Sequence, residues 1–315
     1  MAIDLRGVFV PATSPFDPVT GEIDPVGMRG NVRHWIDRGV TGILVAGSTG
    51  ESVFLDESER VHLTEACRGA MPDGAPLVVG TGLESTRATI RLNRAVADAG
   101  ADAVLVQPPA FFKGAMSPDV LRDHYRAVAD AAPLPVLLYQ CPLRLSTLEF
   151  PTGLVAELSS HPNIVGIKDS RGNLELLGEL VEQTQEGFQV LVGSGALLYG
   201  ALVTGAVGGI LAVAAMAPAE SAEIYGAFTS GRSAAAGSIQ ERIAPVHNGI
   251  VGGMGVPGVK AAMDLLGLRG GAPRPPLGPL PEARMGELRQ ILDDADLLQP
   301  AERTRRSLLY TSDAA

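Results

Sequence analysis

Lysine is scarce in this sequence, since Lys113, Lys168 and Lys260 are the only three among 315 residues. Cysteine is scarcer still, because Cys67 and Cys141 are the only two, and no CxxC pair exists. Two isolated cysteines exclude a disulfide framework and a cysteine-rich zinc site. We therefore predict that the protein works in a reducing cytoplasm.

Long uncharged apolar runs are also absent, and no stretch of about 18 such residues predicts a membrane span. The N-terminus carries Asp4 and has no basic flank before an apolar segment, so no signal peptide is predicted. A formal net charge of −10 argues against binding to nucleic acid or to an anionic membrane surface. These absences favour a globular protein that acts on a small molecule.

Metal and nucleotide motifs are missing as well. The histidines form neither an HxH nor an HExxH pattern, which leaves a metal-dependent mechanism without ligands. No P-loop or dinucleotide fingerprint is present. We predict no metal and no cofactor, and we interpret each histidine as a surface or helix residue: His34, His62, His124, His161 and His247.

What the sequence does contain is a repeat of strand and helix. Most of the β-like runs are continuously apolar, as expected for parallel strands that are covered on both faces. Eight of them can be placed: Gly7–Val10, Gly42–Ala46, Leu77–Gly80, Ala103–Val106, Val136–Tyr139, Val165–Lys168, Gln189–Val192 and Gly208–Val213. Helix-start signals lie between them at Asp24-Pro25, Asp56–Glu59 and Ser117-Pro118. Strand starts recur roughly every 25–35 residues, which favours a (β/α)8 TIM barrel over a doubly wound sheet.

No strand signal recurs after residue 214, and the segments near 218–229, 233–248, 256–267 and 281–294 predict helices. We therefore predict an α/β protein with a (β/α)8 barrel over residues 1–215 and a C-terminal α-helical extension over 216–300. A tail follows over 301–315. Its last part, 308–315, resembles a translated sequencing or cloning adapter and is left out of the fold prediction.

Lys168 ends the sixth predicted strand, directly after an apolar run over residues 163–167. An ammonium at the end of a buried strand must be paired or must give up its proton. A neutral amine there is a nucleophile that can form a Schiff base with a carbonyl compound. The alternative is a lysine at the rim of the barrel, paired with the adjacent Asp169.

Two other strand ends carry polar groups. Because βα loops converge at the carboxyl end of a TIM barrel, Tyr139 and the turn Gly47-Ser48-Thr49-Gly50-Glu51 are predicted to face the same cavity as Lys168. The turn offers backbone N–H groups and two hydroxyls, which suit a carboxylate. Taken alone, Tyr139 can equally be a core tyrosine, and Gly47–Glu51 an ordinary tight turn.

These segments resemble the motifs of the dihydrodipicolinate synthase/N-acetylneuraminate lyase family of class I, pyruvate-dependent aldolases. The resemblance covers about residues 5–295 and rests on these segments: Gly47–Glu51, Tyr139-xx-Pro142-x-Arg144, Ile164–Asp169, Pro11–Phe16 and Val256–Lys260. It implies a TIM-barrel lyase that acts on pyruvate-derived 2-oxo acids through a lysine imine. It also implies a homotetramer or homodimer.

The resemblance implies roles for single residues. Lys168 would attack the C2 carbonyl of a 2-oxo acid, and the resulting imine would act as an electron sink when the C3–C4 bond breaks or forms. Tyr139 would relay protons, and Ser48 and Thr49 would hold the substrate carboxylate. Arg144 would bind a distal carboxylate or steer an anionic partner, unless it is simply a surface arginine. Further substrate-binding positions at strand ends are Gly193, Ser194 and Ile210.

One departure from the family pattern bears on the substrate. Family members commonly carry tyrosines after the fourth strand, and the synthase takes one of them from a neighbouring subunit, but Ala110 and Phe111 stand there in this chain. Gln140 also replaces the asparagine usual after the tyrosine. The departure favours an aldolase for 4-hydroxy-2-oxoglutarate or 2-keto-3-deoxy sugar acids. The alternatives are 4-hydroxy-tetrahydrodipicolinate synthase, a keto-deoxy-sugar-acid dehydratase and, in another class, a non-catalytic relative that binds 2-oxo acids.

Overall fold

Eight parallel strands close into a barrel in the computed structural model, which describes residues 3–146 and 148–298. Each strand pairs with its neighbours in the sequence, and the first pairs with the eighth to close the barrel. The strands are β1 (Gly7–Pro11), β2 (Gly42–Val45), β3 (Leu77–Gly80), β4 (Ala103–Val106), β5 (Val136–Gln140), β6 (Ile164–Asp169), β7 (Gln189–Val192) and β8 (Gly208–Ile210). The predicted (β/α)8 fold class is confirmed.

Helices alternate with the strands as far as β8 and then follow one another. They are α1 (Pro25–Ile36), α2 (Glu57–Arg68), α3 (Thr86–Asp98), α4 (Pro118–Ala131), α5 (Thr152–Leu158), α6 (Leu174–Gln183), α7 (Leu198–Thr204), α8 (Pro218–Thr229), α9 (Ser233–Val246), α10 (Gly255–Leu265) and α11 (Met285–Asp294). None of the helices that the structure describes is long and apolar enough to cross a membrane.

Three of these helices begin at the residues that the sequence predicts. The carboxylate of Asp24 accepts a hydrogen bond from the Gly27 N–H at the start of α1, with proline at the first helical position. The predicted capping box at the start of α2 is present, because the Asp56 carboxylate accepts from the Glu59 N–H and the Glu59 carboxylate accepts from the Asp56 N–H. Ser117 caps α4 in the same way as Asp24 caps α1.

The eighth strand is shorter than predicted. It ends at Ile210, and the chain then forms a 3-10 turn over Ala212–Ala215 where the sequence predicts strand as far as Val213. All four residues of that turn are buried. A buried apolar run has no polar face, so its hydrophobic pattern does not distinguish a strand from a short helix.

Strand side chains alternate between two cores. Those that point inward fill the barrel, and Leu44, Leu105, Leu137 and Leu191 are among them. Those that point outward pack against the surrounding helices in a larger cluster. Because side chains alternate along a strand, Tyr139 follows Leu137 into the barrel interior, at the carboxyl end.

The helices after β8 cover the carboxyl end and one side of the barrel. Helix α8 packs on α7 and β1, α9 packs on α8, and α9 carries Pro245 near its end. The chain then forms a π-helical turn over His247–Gly252 before α10 begins. The predicted division between barrel and extension at residues 215 and 216 stays a prediction. The tail over 301–315, including 308–315, lies outside the described residues.

Candidate active site

A cavity of about 420 Å³ lies at the carboxyl end of the barrel. All eight site residues that the sequence predicts line it: Ser48, Thr49, Tyr139, Arg144, Lys168, Gly193, Ser194 and Ile210. They come from the ends of β2, β5, β6, β7 and β8, so the barrel brings together residues that are far apart in the sequence. Their shared position is an observation, whereas their individual roles stay predictions.

Lys168 lies on β6 beside Tyr139 of β5, and only 4% of its surface is exposed. Its Nζ atom lies 4.6 Å from the centre of the Tyr139 ring. The adjacent carboxylate of Asp169 is not its partner, because that carboxylate accepts hydrogen bonds from Arg171, with an ion-pair distance of 2.7 Å. The alternative of a rim lysine paired with Asp169 is therefore wrong.

Burial lowers the pKa of Lys168 to about 8, because the ammonium form loses its hydration inside the barrel. At pH 7 a pKa of about 8 leaves roughly one amine in ten neutral, against roughly one in three thousand for an ordinary lysine. Only the neutral amine has a lone pair that can attack a carbonyl carbon. The environment of Lys168 therefore supplies a nucleophile near neutral pH.

The second buried lysine has the opposite environment. Lys260 is fully buried, and its Nζ donates to the Glu51 carboxylate at 2.7 Å, the Ser14 carbonyl at 2.8 Å and the Ala272 carbonyl at 2.9 Å. All three of its N–H donors are used. For Lys168, by contrast, the part of the chain that the structure describes provides no hydrogen-bond acceptor and no carboxylate partner. Lys260 is thus held as a structural cation, and Lys168 is open to the cavity.

Tyr139 has a proton to transfer. Its phenol oxygen lies 3.3 Å from the Ser48 hydroxyl oxygen. Burial raises the pKa of Tyr139 well above its ordinary value, while the hydroxyls of Ser48 and Ser170 oppose that shift. The phenol is therefore protonated at neutral pH and lies next to both the Lys168 amine and a second hydroxyl, which suits a proton relay.

The turn after β2 is held in a strained backbone conformation. Ala46 and Glu51 bracket Gly47–Gly50, and both have left-handed φ angles, 53° and 58°. Such angles are unfavourable for residues with a Cβ and persist only where surrounding contacts impose them. The Glu51 carboxylate supplies those contacts, since it also accepts from the Arg274 N–H at 2.7 Å. Helix α10, through Lys260, and the segment after it, through Arg274, therefore hold the turn that presents Ser48 and Thr49.

Arg144 lies at the mouth of the cavity. Its side chain is exposed, and its Nη2 donates to the Val251 carbonyl at 3.2 Å. Gln140 holds the loop that carries it, because the buried Gln140 amide donates to the Leu148 carbonyl and accepts from the Phe150 N–H. None of the described residues that line the cavity is acidic. The mouth therefore favours an anionic group.

His247, which the sequence predicts to be a surface or helix residue, is a further residue of this site. It lines the cavity at the start of the π-helical turn, and its Nε2 lies 3.2 Å from the Ser194 hydroxyl oxygen. Its Nδ1 accepts from the Gly195 N–H at 3.2 Å. Burial, with a smaller effect of Arg144, lowers the pKa of His247 to about 4, so the imidazole is neutral. No local motif marks this residue, since 53 positions separate it from Ser194.

Ala110 and Phe111 do not reach this cavity. Both backbone N–H groups donate to the Glu84 carboxylate, at 3.1 Å for Ala110 and 2.9 Å for Phe111. The side chains of Phe111 and Phe112 are 80% and 72% exposed, and the two rings make an edge-to-face contact. In the described residues of this chain, the hydroxyls beside Tyr139 are thus those of Ser48 and Ser170.

Neither cysteine is engaged in a disulfide, and both are buried. Burial raises the pKa of the Cys141 thiol, which lies beside Tyr139, to about 11. Among the described residues, no group of three or more histidine, cysteine, aspartate or glutamate side chains is arranged to hold a metal ion. The polar side chains of the cavity nearest to Lys168 are the Tyr139 phenol and the serine and threonine hydroxyls.

Comparisons with known proteins agree with this geometry. The model of the dihydrodipicolinate synthetase family matches residues 4–295. A probable mitochondrial 4-hydroxy-2-oxoglutarate aldolase from Emericella nidulans is 38% identical over 274 residues, 86% of this chain and 88% of that protein. A 4-hydroxy-tetrahydrodipicolinate synthase from Methanothrix thermoacetophila is 34% identical over 91% of this chain and 96% of its own length.

A solved structure shares the fold. It is a prophage protein of the dihydrodipicolinic acid synthase family from E. coli K12, in complex with pyruvate. It superposes with a TM-score of 0.88 at 28% sequence identity, over 94% of this chain and 100% of that one.

Proposed function

We propose a function from the premise that this chain belongs to the dihydrodipicolinate synthetase family, whose model spans nearly its full length. The chain is accordingly a lyase of the Schiff-base, pyruvate-dependent class. Within that class we propose that it cleaves a 4-hydroxy-2-oxo acid to pyruvate and an aldehyde. The observation that carries the proposal is the buried Lys168 amine, which has no partner among the described residues and lies beside the protonated Tyr139 phenol.

The reaction begins when the Lys168 amine attacks the C2 carbonyl of the 2-oxo acid and loss of water gives an imine. The C4 hydroxyl then gives up its proton and becomes the carbonyl of the departing aldehyde. The electrons of the C3–C4 bond move to the imine nitrogen and leave an enamine. The enamine takes a proton at C3, and hydrolysis releases pyruvate and free Lys168. Tyr139, in contact with Ser48, relays protons in the dehydration and cleavage steps.

For the substrate we propose 4-hydroxy-2-oxoglutarate, which carries a carboxylate at each end. The Ser48-Thr49 turn offers hydroxyls and backbone N–H groups to the carboxylate next to the imine. Arg144 at the mouth offers a guanidinium to the far carboxylate, in a cavity whose described lining contains no acidic side chain. Gly193 and Ile210 line the space between these ends.

A 2-keto-3-deoxy sugar acid is the second candidate substrate. It has a single carboxylate and several hydroxyls, and the neutral His247 and Ser194 provide uncharged polar groups for them. The relative activity of the protein on the two substrates decides between them. Only 4-hydroxy-2-oxoglutarate has a second carboxylate that the Arg144 guanidinium can bind.

The imine is tested by trapping. The protein is incubated with pyruvate, reduced with borohydride, and mapped by peptide mass spectrometry, and we expect the adduct on Lys168. An adduct elsewhere, or none, contradicts the proposal. Pyruvate release from 4-hydroxy-2-oxoglutarate and from 2-keto-3-deoxygluconate is then compared. Loss of water from the sugar acid without pyruvate release shows a dehydratase. Ligand-induced stabilisation without any turnover shows a non-catalytic relative.

We also propose that the protein is cytoplasmic and forms a homodimer or homotetramer. Two buried free cysteines fit a reducing compartment. Large exposed apolar side chains on the loops after the neighbouring strands β4 and β5 support self-association: Phe111, Phe112, Leu143 and Leu145.

A further inference from the structure

We propose that His247 is a positioning residue that orients the Ser194 hydroxyl to donate a hydrogen bond to an uncharged oxygen on C4 of the substrate. The inference rests on the proposed function, because C4 is defined by a 2-oxo acid attached to Lys168. It assigns to the C-terminal helices a part in recognising the fragment that leaves as the aldehyde.

The backbone determines which nitrogen of His247 carries the proton. The Gly195 N–H can only donate, and it points to Nδ1 at 3.2 Å, so Nδ1 must be the bare nitrogen of the neutral ring. Nε2 then carries the hydrogen and donates to the Ser194 hydroxyl oxygen at 3.2 Å. Ser194 therefore accepts from His247, and its own hydrogen is left to donate. No other described residue accepts it, and Ser194 lines the cavity.

The turn that carries Ser194 is fixed on both sides. Gln240 of α9 donates to the Gly195 carbonyl at 2.9 Å and accepts from the Tyr199 N–H at 3.1 Å. A Cβ atom on Gly195 would lie 2.4 Å from a methyl group of Val213, so only glycine permits the approach. The Ser194 hydroxyl is thus placed by contacts from α9, the π-helical turn and the segment after β8.

The position of Ser194 matches the middle of a bound substrate. Lys168 is level with Leu191 in the β6–β7 pairing, and Ser194 follows Leu191 by three residues toward the mouth. Arg144, at the mouth, donates to the carbonyl of Val251, which lies in the same π-helical turn as His247. Ser194 therefore lies between the imine and the proposed site for the far carboxylate. A hydroxyl held by a neutral imidazole is an uncharged donor, which suits a hydroxyl or aldehyde oxygen better than a carboxylate.

Two matched substitutions separate positioning from simple structural support. In His247→Gln, the amide nitrogen replaces Nε2 and can still donate to Ser194, but the acceptor for Gly195 is lost. In His247→Asn, the amide oxygen replaces Nδ1 and can still accept from Gly195, but the donor to Ser194 is lost. If His247 acts only by supporting Gly195, the His247→Asn variant should be less impaired than His247→Gln. If His247 positions Ser194, the His247→Gln variant should be the less impaired of the two.

The readout is the ratio of kcat/KM for C3–C4 cleavage to the rate of Lys168 imine trapping with pyruvate, which has no C4. We expect Ser194→Ala and His247→Asn each to lower this ratio about tenfold, the effect of losing one hydrogen bond. His247→Gln should recover most of the loss. The double variant S194A/H247N should lose no more than S194A alone, because both changes remove the same interaction.

Two results would overturn the inference while leaving the proposed function intact. One is a wild-type ratio in S194A, and the other is a His247→Gln variant as impaired as His247→Asn. Cleavage is measured on 4-hydroxy-2-oxoglutarate and 2-keto-3-deoxygluconate, both of which carry a C4 hydroxyl. Failure of the wild-type protein to form the pyruvate imine, or to cleave either compound, contradicts the proposed function and the inference with it.

Discussion

Two lysines are buried in this chain, and their immediate neighbours give them different electrostatic environments. The Lys168 ammonium has no described partner, so its burial lowers both its pKa and the stability of the folded protein. The folded-state pKa of about 8 is below the unfolded value, so the free-energy cost of burying the ammonium is fully present below pH 8. It is relieved as the pH rises toward about 10.5.

Lys168→Met should therefore abolish imine formation and yet stabilise the protein. At pH 7 we expect the free energy of unfolding to rise by up to about 3 kcal/mol, the equivalent of the pKa shift. The gain should shrink between pH 8 and pH 10. Urea unfolding at pH 7 and pH 9.5 measures it, with the exposed Lys113→Met as the control. A K168M protein that is less stable than wild type at pH 7 contradicts this account.

Tyr139→Phe should slow turnover while leaving the cavity intact. The ring still fills its place in the barrel interior, but the proton beside Lys168 and Ser48 is lost. General acid–base catalysis contributes about 10²–10⁴-fold, so we expect kcat to fall within that range. Steady-state kinetics and circular dichroism test both parts. Undiminished kcat in a folded variant removes Tyr139 from the relay.

The sequence predicts the position of a site residue where that residue lies at the end of a strand. Lys168, Tyr139 and Ser48 each follow an apolar run, so their position in the barrel follows from the strand pattern. His247 follows no such run and reaches the cavity only because helices α9 and α10 fold back over the barrel. The sequence marks Gln140 as a departure from the family pattern, but its contact with Phe150 depends on how the loop after β5 folds back.

At the scale of elements, the turn after β2 depends on a helix that follows it by about 200 residues. The Lys260–Glu51 ion pair, buried on both sides, ties this turn to α10. Removing one partner of a buried pair leaves an uncompensated charge, which typically costs about 3–5 kcal/mol. The strained turn that presents Ser48 and Thr49 is expected to loosen at the same time.

Lys260→Met should therefore lower the free energy of unfolding by about 3–5 kcal/mol and raise KM more than it lowers kcat. The double variant K260M/E51Q should recover part of the stability, because the orphaned carboxylate becomes neutral. The exposed Arg6–Asp4 pair is the matched control, and Arg6→Ala should leave Tm close to wild type. Equal stability of K260M and R6A would contradict the structural role assigned to Lys260.

The strands were predictable because parallel strands covered on both faces are short apolar runs with little ambiguity in their starts. β3, β4 and β7 have the predicted bounds. The predicted end of β8 is wrong, because Ala212–Ala215 are apolar but form a 3-10 turn. The closing of the barrel is a long-range property that no single segment contains. Its prediction rested on the count and spacing of the βα units.

At the scale of the whole molecule, the exposed Phe111 and Phe112 rings predict an assembly. If they are covered by a second copy, the double variant F111S/F112S should shift the protein toward smaller species. Sedimentation velocity or light scattering over a range of concentrations measures this. Val19→Ser is the control, because Val19 is also a highly exposed apolar residue but lies on a different loop. A wild-type monomer at all concentrations contradicts the assembly.

The π-helical turn over His247–Gly252 joins α9 to α10 and determines how far α10 is rotated about its axis relative to α9. A π turn holds one residue more than an α-helical turn, and one residue corresponds to about 100° of rotation about the helix axis. Deleting a single residue after His247 in this turn would rotate α10, whose Val256 and Val259 line the cavity, relative to His247 and α9. A one-residue change in the length of this turn would therefore change which side chains of α10 face the cavity, without any substitution among them.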